Sequence, residues 1–96
     1  MEHKNLKIGK FYQIYRCFNG NELVPCSLYS DKECMKREVA KLYLSDVLFL
    51  LSFNLFYRES GFADQFSLKV LTSDGKIGYI WSGLDSKLII KEINEF

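Results

Sequence analysis

Proline, glycine and histidine are scarce in this sequence, and their scarcity excludes several classes of protein. The 96 residues include one Pro, six Gly and one His. Disordered and collagen-like chains need far more Pro and Gly, so the composition predicts a folded globular chain. A chain of this length holds one hydrophobic core, and we expect a single domain over residues 1–96.

Long apolar runs are missing as well. The longest is Val47–Leu51, and Ser52 and Asn54 interrupt the stretch that follows it. A membrane-spanning helix needs about 20 apolar residues. The polar Met1–Asn5 segment leads into an alternating stretch, which is not the pattern of a secretory signal. We therefore expect a cytoplasmic protein without a membrane partner.

The charges are nearly balanced, because 13 Lys and Arg face 12 Asp and Glu. Such a balance does not by itself indicate a nucleic-acid-binding surface. Ten of the 13 basic residues are Lys, and Phe, Tyr, Ile and Asn are frequent. This bias is typical of an AT-rich genome and indicates a virus, a phage or an AT-rich bacterium.

The three cysteines are Cys17, Cys26 and Cys34, with eight and then seven residues between them. No C-x-x-C pair is present, and His3 lies fourteen residues before Cys17. Structural zinc sites use ligand pairs on tight turns. We therefore expect three reduced, mostly packed thiols, with neither a disulfide nor a metal ion.

Motifs that carry catalysis are absent from the sequence. It holds no glycine-rich phosphate loop, no G-x-S-x-G or H-E-x-x-H motif and no paired carboxylates. Acid–base catalysis needs a base with an orienting partner, and the scattered carboxylates supply neither. We expect a protein that is not an enzyme, has no catalytic residue and binds no cofactor.

The sequence does contain strand-like alternation on both sides of one turn. Phe66, Leu68 and Val70 alternate with polar residues before Asp74 and Gly75, and alternation resumes over residues 77–81. An Asp-Gly pair between two alternating segments is a strong hairpin signal, because glycine adopts the positive φ that such turns require. The pattern predicts a β-hairpin that pairs residues 68–71 with 77–80.

Other segments also have the composition of strands. They are Lys10–Phe18, Val47–Tyr57 and Leu88–Ile93, with a short extended piece over Pro25–Tyr29. Val47–Tyr57 has six apolar residues on one face, which favours a strand, although its leucines also fit a helical stripe.

Residues 19–46 are the least clear part of the pattern. Asp31 is a candidate helix cap, and Met35, Val39 and Leu42 form a candidate apolar stripe behind it. This spacing is typical of a short helix near 31–42. A loop without a helix is the alternative.

The order of these segments resembles an SH3-like barrel. Asp74–Ile80 is similar to the family's stretch in which an Asp-Gly turn leads into Gly-Tyr-Ile, and Ser45–Leu51 lies where the second strand would begin. Leu84 and Leu88–Ile90 take the places of the family's 3₁₀ turn and closing strand. The resemblance implies a mainly β fold, a small SH3-like barrel of five or six strands.

The resemblance also implies a binding surface. Tyr29 falls in the long loop where peptide-binding members place a groove aromatic, and Trp81 follows the Gly-Tyr-Ile stretch where they usually place Pro. Aromatic residues make up 16% of the chain, more than a small core needs. We therefore expect Tyr29, Trp81 and Phe66 to reach the surface and to bind a protein partner or a second copy of the chain, with Trp81 beside Tyr29.

These observations favour a non-catalytic protein-interaction module, such as a phage or viral accessory protein. The alternative is a small nucleic-acid-binding β-barrel. Its binding residues would be Lys4, Lys7, Lys10, Tyr12 and Tyr15, because basic residues beside aromatic rings can stack on single-stranded bases. Lysines that prevent a strand edge from pairing with another chain would give the same pattern.

Overall fold

The residues that the structure describes contain eight strands, which pair in antiparallel fashion. The structure is a computed structural model, and it describes residues 6–32, 34–57, 65–83 and 86–93. The strands are β1 (Phe11–Asn19), β2 (Glu22–Leu23), β3 (Cys26–Tyr29), β4 (Glu38–Leu42), β5 (Val47–Tyr57), β6 (Gln65–Thr72), β7 (Ile77–Ser82) and β8 (Ser86–Ile93).

The strands make one curled sheet, an open half-barrel, with the order β2-β1-β5-β6-β7-β3-β4, and β8 also pairs with β1. The prediction of a mainly β fold is therefore confirmed. The sheet has eight strands in place of the expected five or six because β2 and β4 form in segments predicted as turn, loop or helix. In the described part of the chain no helix is present, and thus none that is long and apolar enough to cross a membrane.

The helix expected near 31–42 is wrong. The Asp31 carboxylate accepts the backbone N–H groups of Lys36 (3.0 Å) and Met35 (3.3 Å), but these bonds hold a turn and do not begin a helix. Cys34, however, has a φ of 56°, and this left-handed conformation is incompatible with a continuing helix. The chain turns there and returns as β4, which pairs with β3.

The predicted hairpin is confirmed, and it joins β6 to β7. Leu68 lies opposite Ile80 and Leu71 opposite Ile77. The Gly75 N–H donates to the Thr72 carbonyl (3.1 Å), and Gly75 has a φ of 88°. Glycine at this left-handed position is what the turn requires.

The core lies on the inner face of the curl. Strand alternation places one side of each strand there, and the largest fully buried side chains are Tyr12, Phe66, Ile14, Leu28, Leu48, Leu50, Leu68, Ile80 and Leu88. In β1 the pairing with β8 shifts register between Ile14 and Arg16. Because of this bulge, Tyr15 and Arg16 both face solvent, and Cys17 points into the core.

Candidate functional site

A cleft opens where β3 leaves β7. The two strands pair at one register position, Tyr29 opposite Tyr79. They approach closely there because residue 78 is glycine: a Cβ on Gly78 would lie 2.6 Å from Leu28 Cγ. Beyond this point, a cavity of about 390 Å³ is bounded by residues of both strands and by the end of β1.

Among the described residues that line this cleft there is no Asp, Glu, Lys, Arg or His. The lining residues are Cys17, Phe18, Asn19, Val24, Pro25, Cys26, Ser27, Tyr29, Cys34, Met35, Ile80 and Trp81. Asn19 and Ser27 supply amide and hydroxyl groups, and the other lining side chains in the described part of the chain are aliphatic, aromatic or sulfur-containing. Such a lining suits an uncharged, largely apolar occupant.

Tyr29 and Trp81 lie on the walls of the same cleft, and both are half-buried. The Trp81 indole packs against Gly83, since a Cβ at that position would lie 2.8 Å from Nε1. Trp81 shares the outer face of β7 with Tyr79 and Ile77. Ile77, on the same face, is 57% exposed.

Phe66 is not part of this surface. It is 1% exposed and lies opposite Ser82 on the inner face of the sheet, where it packs in the core. Its alternation with Leu68 and Val70 places all three on one face, and the curl of the sheet makes that face the buried one. The expectation that Phe66 reaches the surface is therefore wrong.

The structure separates the residues proposed to bind nucleic acid. Tyr12 is 2% exposed, and its hydroxyl accepts the backbone N–H of Lys7 (2.7 Å), so its ring cannot stack on a base. Tyr15 is 57% exposed, with the Arg16 guanidinium 5.2 Å from the ring centroid. Lys7 and Lys10 are exposed, and Lys7 Nζ lies 3.8 Å from Glu92 Oε1. Lys4 lies outside the described residues, as does Leu84 of the predicted 3₁₀ turn.

Sequence reasoning missed the other walls of the cleft. Met35 is 82% exposed at its rim, although the pattern assigned it to a helical stripe. Val24 and Pro25 connect β2 to β3 and form another part of the lining. No periodic signal marks these residues, because the cleft arises from the divergence of two strands distant in sequence.

All three cysteines line the cleft. Cys17 is 8% exposed and Cys26 is 1% exposed, so the prediction of packed thiols holds for both, whereas Cys34 is half-buried. A hydrogen bond from Cys26 lowers the pKa of the Cys17 thiol, and burial opposes that shift. The same hydrogen bond raises the pKa of Cys26, and burial adds to the rise.

Among the residues that the structure describes, no cluster of three His, Cys, Asp or Glu side chains could hold a metal ion. The three thiols therefore share a cavity without forming a ligand set. No protein-family model matches the chain, and neither a curated protein nor a solved structure is significantly similar to it.

Proposed function

We propose that the chain is a non-catalytic protein-interaction module whose cleft between β3 and β7 binds an apolar segment of a partner protein. The observation that carries the proposal is the placement of Tyr29 and Trp81, both half-buried, on the walls of one cavity. Tyr and Trp are enriched in the residues that contribute most to protein–protein binding. A cleft whose described lining holds no Lys or Arg favours an apolar peptide over a phosphate backbone.

The size of the cleft fits this kind of ligand. Its volume of about 390 Å³ lies in the range of roughly 300–1,000 Å³ that is usual for binding pockets. The exposed Met35 side chain at the rim can adjust to different apolar groups, because its thioether chain is unbranched. The Asn19 side-chain amide can supply hydrogen bonds to a bound backbone.

The test is a selection of peptides from a displayed library on the purified chain, followed by measurement of their dissociation constants. We expect selected peptides to share large apolar residues. Trp81→Ala and Tyr29→Ala should each weaken binding by about tenfold or more, as loss of an interface anchor does. Ile77→Ala is the matched control, because Ile77 is exposed on the same face of β7.

Urea unfolding of the same variants separates binding from folding. A loss of roughly 3–5 kcal/mol in Trp81→Ala is typical of a Trp that only fills a core, and that result would contradict the proposal. Equal binding by wild type, Trp81→Ala and Tyr29→Ala would also contradict it. If Trp81→Ala instead abolishes self-association in sedimentation, the bound partner is a second copy of the chain.

Nucleic-acid binding is the second candidate, and the exposed Tyr15–Arg16 pair is the observation that favours it. This pair offers an aromatic ring and a positive charge to a single strand. In this case a single-stranded oligonucleotide should bind with an affinity that falls steeply with salt, and Tyr15→Ala and Arg16→Ala should weaken it.

We propose in addition that the half-barrel is a variant of the SH3-like architecture. The confirmed hairpin over Asp74–Ile80 supports this reading. A cytoplasmic accessory protein of a phage or virus would be a natural setting for so small a binding module. An experimental structure of the full chain would test the architecture by showing with which strands β8 pairs.

A further inference from the structure

A row of apolar side chains crosses the outer face of the sheet, on the side away from the core. Strand pairing places its members directly opposite one another on five neighbouring strands, β8, β1, β5, β6 and β7. In that order they are Ile93, Phe11, Phe49, Leu71 and Ile77. Residues that face each other across paired strands point to the same side of a sheet. The five therefore form one continuous stripe, which we call the outer row.

The outer row is accessible along its length. Phe11 is 39% exposed and Ile77 is 57% exposed, and the other three members are half-buried. The Phe11 and Phe49 rings meet edge to face, with their centroids 4.9 Å apart. Single apolar residues on a surface are ordinary, whereas a contiguous set of them is typical of an interaction site.

The outer row has an indentation near its middle. A cavity of about 100 Å³ opens between β1, β5 and β6, where Phe11, Val47, Phe49 and Leu71 line it together with Ser73 of the hairpin turn. Among its described lining residues there is no Asp, Glu, Lys, Arg or His. A small apolar hole of this kind suits a convex partner, because a protruding side chain of that partner can fill it.

The charged side chains on this face of the five strands are positive. Among the residues that the structure describes they are Arg16, Lys69 and Lys91, whereas Glu92 lies opposite the buried Tyr12 on the inner side. Lys69 and Lys91 lie on opposite sides of the outer row, each two residues along its strand from a member of the row. A partner therefore gains from negative charge on both flanks of its apolar surface.

The chemistry of this face distinguishes between possible occupants. A second copy of the chain is a poor match, because contact through the outer row would bring positive charge against positive charge. An extended segment is a poor match as well, since a strand gains its main-chain hydrogen bonds at the edge of a sheet and not on its face. A helix satisfies its own backbone hydrogen bonds and can lay an apolar stripe on the face of a sheet.

We propose that the outer row is a docking surface for an amphipathic α-helix of a partner protein, with Asp or Glu on both sides of the apolar stripe of the helix. One apolar side chain of the helix fills the indentation, and its acidic residues lie near Lys69 and Lys91. None of the five residues of the outer row lines the cleft between β3 and β7. This docking surface is therefore separate from the cleft and does not depend on what binds there.

The experiment selects binders from a library of helices on a rigid helical scaffold, with the full chain as the target and the exposed positions of one helix varied. We expect the selected helices to carry apolar residues at i, i+3 or i+4 and i+7, with Asp or Glu beside them. Addition of a selected helix to the wild-type chain should change the amide chemical shifts of the outer row and leave those of the cleft unchanged. This mapping identifies the surface even if a variant does not fold.

Ile77→Ser tests the apolar contact. The dissociation constant of a selected helix should rise by about tenfold, as it does on loss of an interface anchor. Leu23→Ser is the matched control, because Leu23 of β2 is 58% exposed and lies outside the outer row. Trp81→Ala should bind the helix as the wild type does, and peptides that bind the cleft should bind Ile77→Ser with full affinity. Failure of one surface is thus distinguishable from failure of the other.

An exchange of charge tests the flanks of the outer row. The double variant Lys69→Glu, Lys91→Glu should bind an acidic helix about tenfold more weakly at low salt, and the loss should shrink at high salt. The same helix with Lys at its acidic positions should bind this double variant more tightly than it binds the wild type. Lys32→Glu with Lys36→Glu is the control, since both lysines are exposed on the turn between β3 and β4.

Several outcomes would overturn the proposal. They are a selection that yields no helix, selected helices rich in Lys or Arg, chemical shifts that change only in the cleft, and equal binding by Ile77→Ser and the wild type. Binding to phosphatidylglycerol vesicles in place of any helix would assign the outer row to a membrane surface. A dimer in sedimentation that Ile77→Ser separates would assign it to a second copy of the chain. Either result is equally incompatible with a helix-docking surface.

Discussion

Ser67 is a polar side chain that the sheet buries completely. Its exposed fraction is 0%, and its hydroxyl has no hydrogen-bond partner among the described residues. It lies on β6 between Asn54 of β5 and Trp81 of β7. A buried hydroxyl without a partner has lost its hydrogen bonds to water and has formed none within the protein.

Replacing this hydroxyl should therefore stabilise the fold. We expect Ser67→Ala to raise the free energy of unfolding by about 1 kcal/mol, measured by urea denaturation. Thr72→Ala is the control, because the buried Thr72 hydroxyl accepts the Lys76 N–H (2.9 Å) and donates to Asp74. That variant should lose about 1–2 kcal/mol. Equal losses in both variants would show that Ser67 has a partner.

Asp74 is the residue whose charge should couple the hairpin to pH. The hydrogen bond from Thr72 lowers the pKa of its carboxyl group, and Lys76, whose Nζ lies 3.5 Å from Oδ2, lowers it further. A folded-state pKa below the unfolded value near 3.9 gives stability that is complete above that value and is lost as the pH falls through the folded pKa. The destabilisation by Asp74→Asn should accordingly be larger at neutral pH than at pH values below about 4.

Urea midpoints at a neutral and an acidic pH would measure this effect. Ser73→Ala, an exposed change in the same turn that removes no titratable group, should shift stability by the same amount at both values. An Asp74→Asn effect that does not vary with pH would show that Asp74 has the same pKa in the folded and unfolded chains.

The elements that sequence patterns predicted well are those whose determinants are local. The bounds of β5 agree with the predicted Val47–Tyr57 strand, and the Asp74–Gly75 turn lies where two alternating segments meet. β4 was missed because its strand conformation depends on pairing with β3 and on the left-handed Cys34. A 3.6-residue apolar spacing was outweighed there by tertiary contacts that a local window does not contain.

The hairpin gives an element-scale prediction at Gly75. A Cβ at this position would meet nothing within 4 Å, so the effect of a substitution comes from the positive φ and not from a clash. Gly75→Val should cost about 1–3 kcal/mol in thermal or urea unfolding. Gly75→Asn should cost clearly less, because Asn tolerates the left-handed region. Equal costs for Val and Asn would contradict the backbone explanation.

At the scale of the whole molecule, the curl of the sheet cannot be read from the alternation of apolar and polar residues. Trp81 is far in sequence from Cys17 and Cys26, and the three residues line one cleft only because the curl of the sheet places β1, β3 and β7 around it. Pattern reasoning placed Trp81 and Tyr29 together through a family resemblance, and it misplaced Phe66 and Tyr12. Alternation shows which residues share a face, but the direction in which the sheet curls determines which face is buried.

The sheet order predicts a gradient of local stability from its centre to its edge. β6 pairs with β5 on one side and β7 on the other, and most of its residues are buried. β4 pairs with β3 alone and is mostly exposed, and β3 in turn meets β7 at the single Tyr29–Tyr79 position. The β3–β4 pair should therefore open without the rest of the sheet.

Amide hydrogen exchange would measure this gradient. Hydrogen-bonded amides of β3 and β4 should exchange at least about tenfold faster than those of β6, because local opening precedes global unfolding. Gly78→Ala should accelerate β3 and β4 further, since the added Cβ would press on Leu28, and should leave exchange in β5 and β6 nearly unchanged. Equal protection in β4 and β6 would mean that the sheet opens as one unit. Because β3 forms one wall of the cleft, faster exchange confined to β3 and β4 would also show that the cleft can widen to admit a partner.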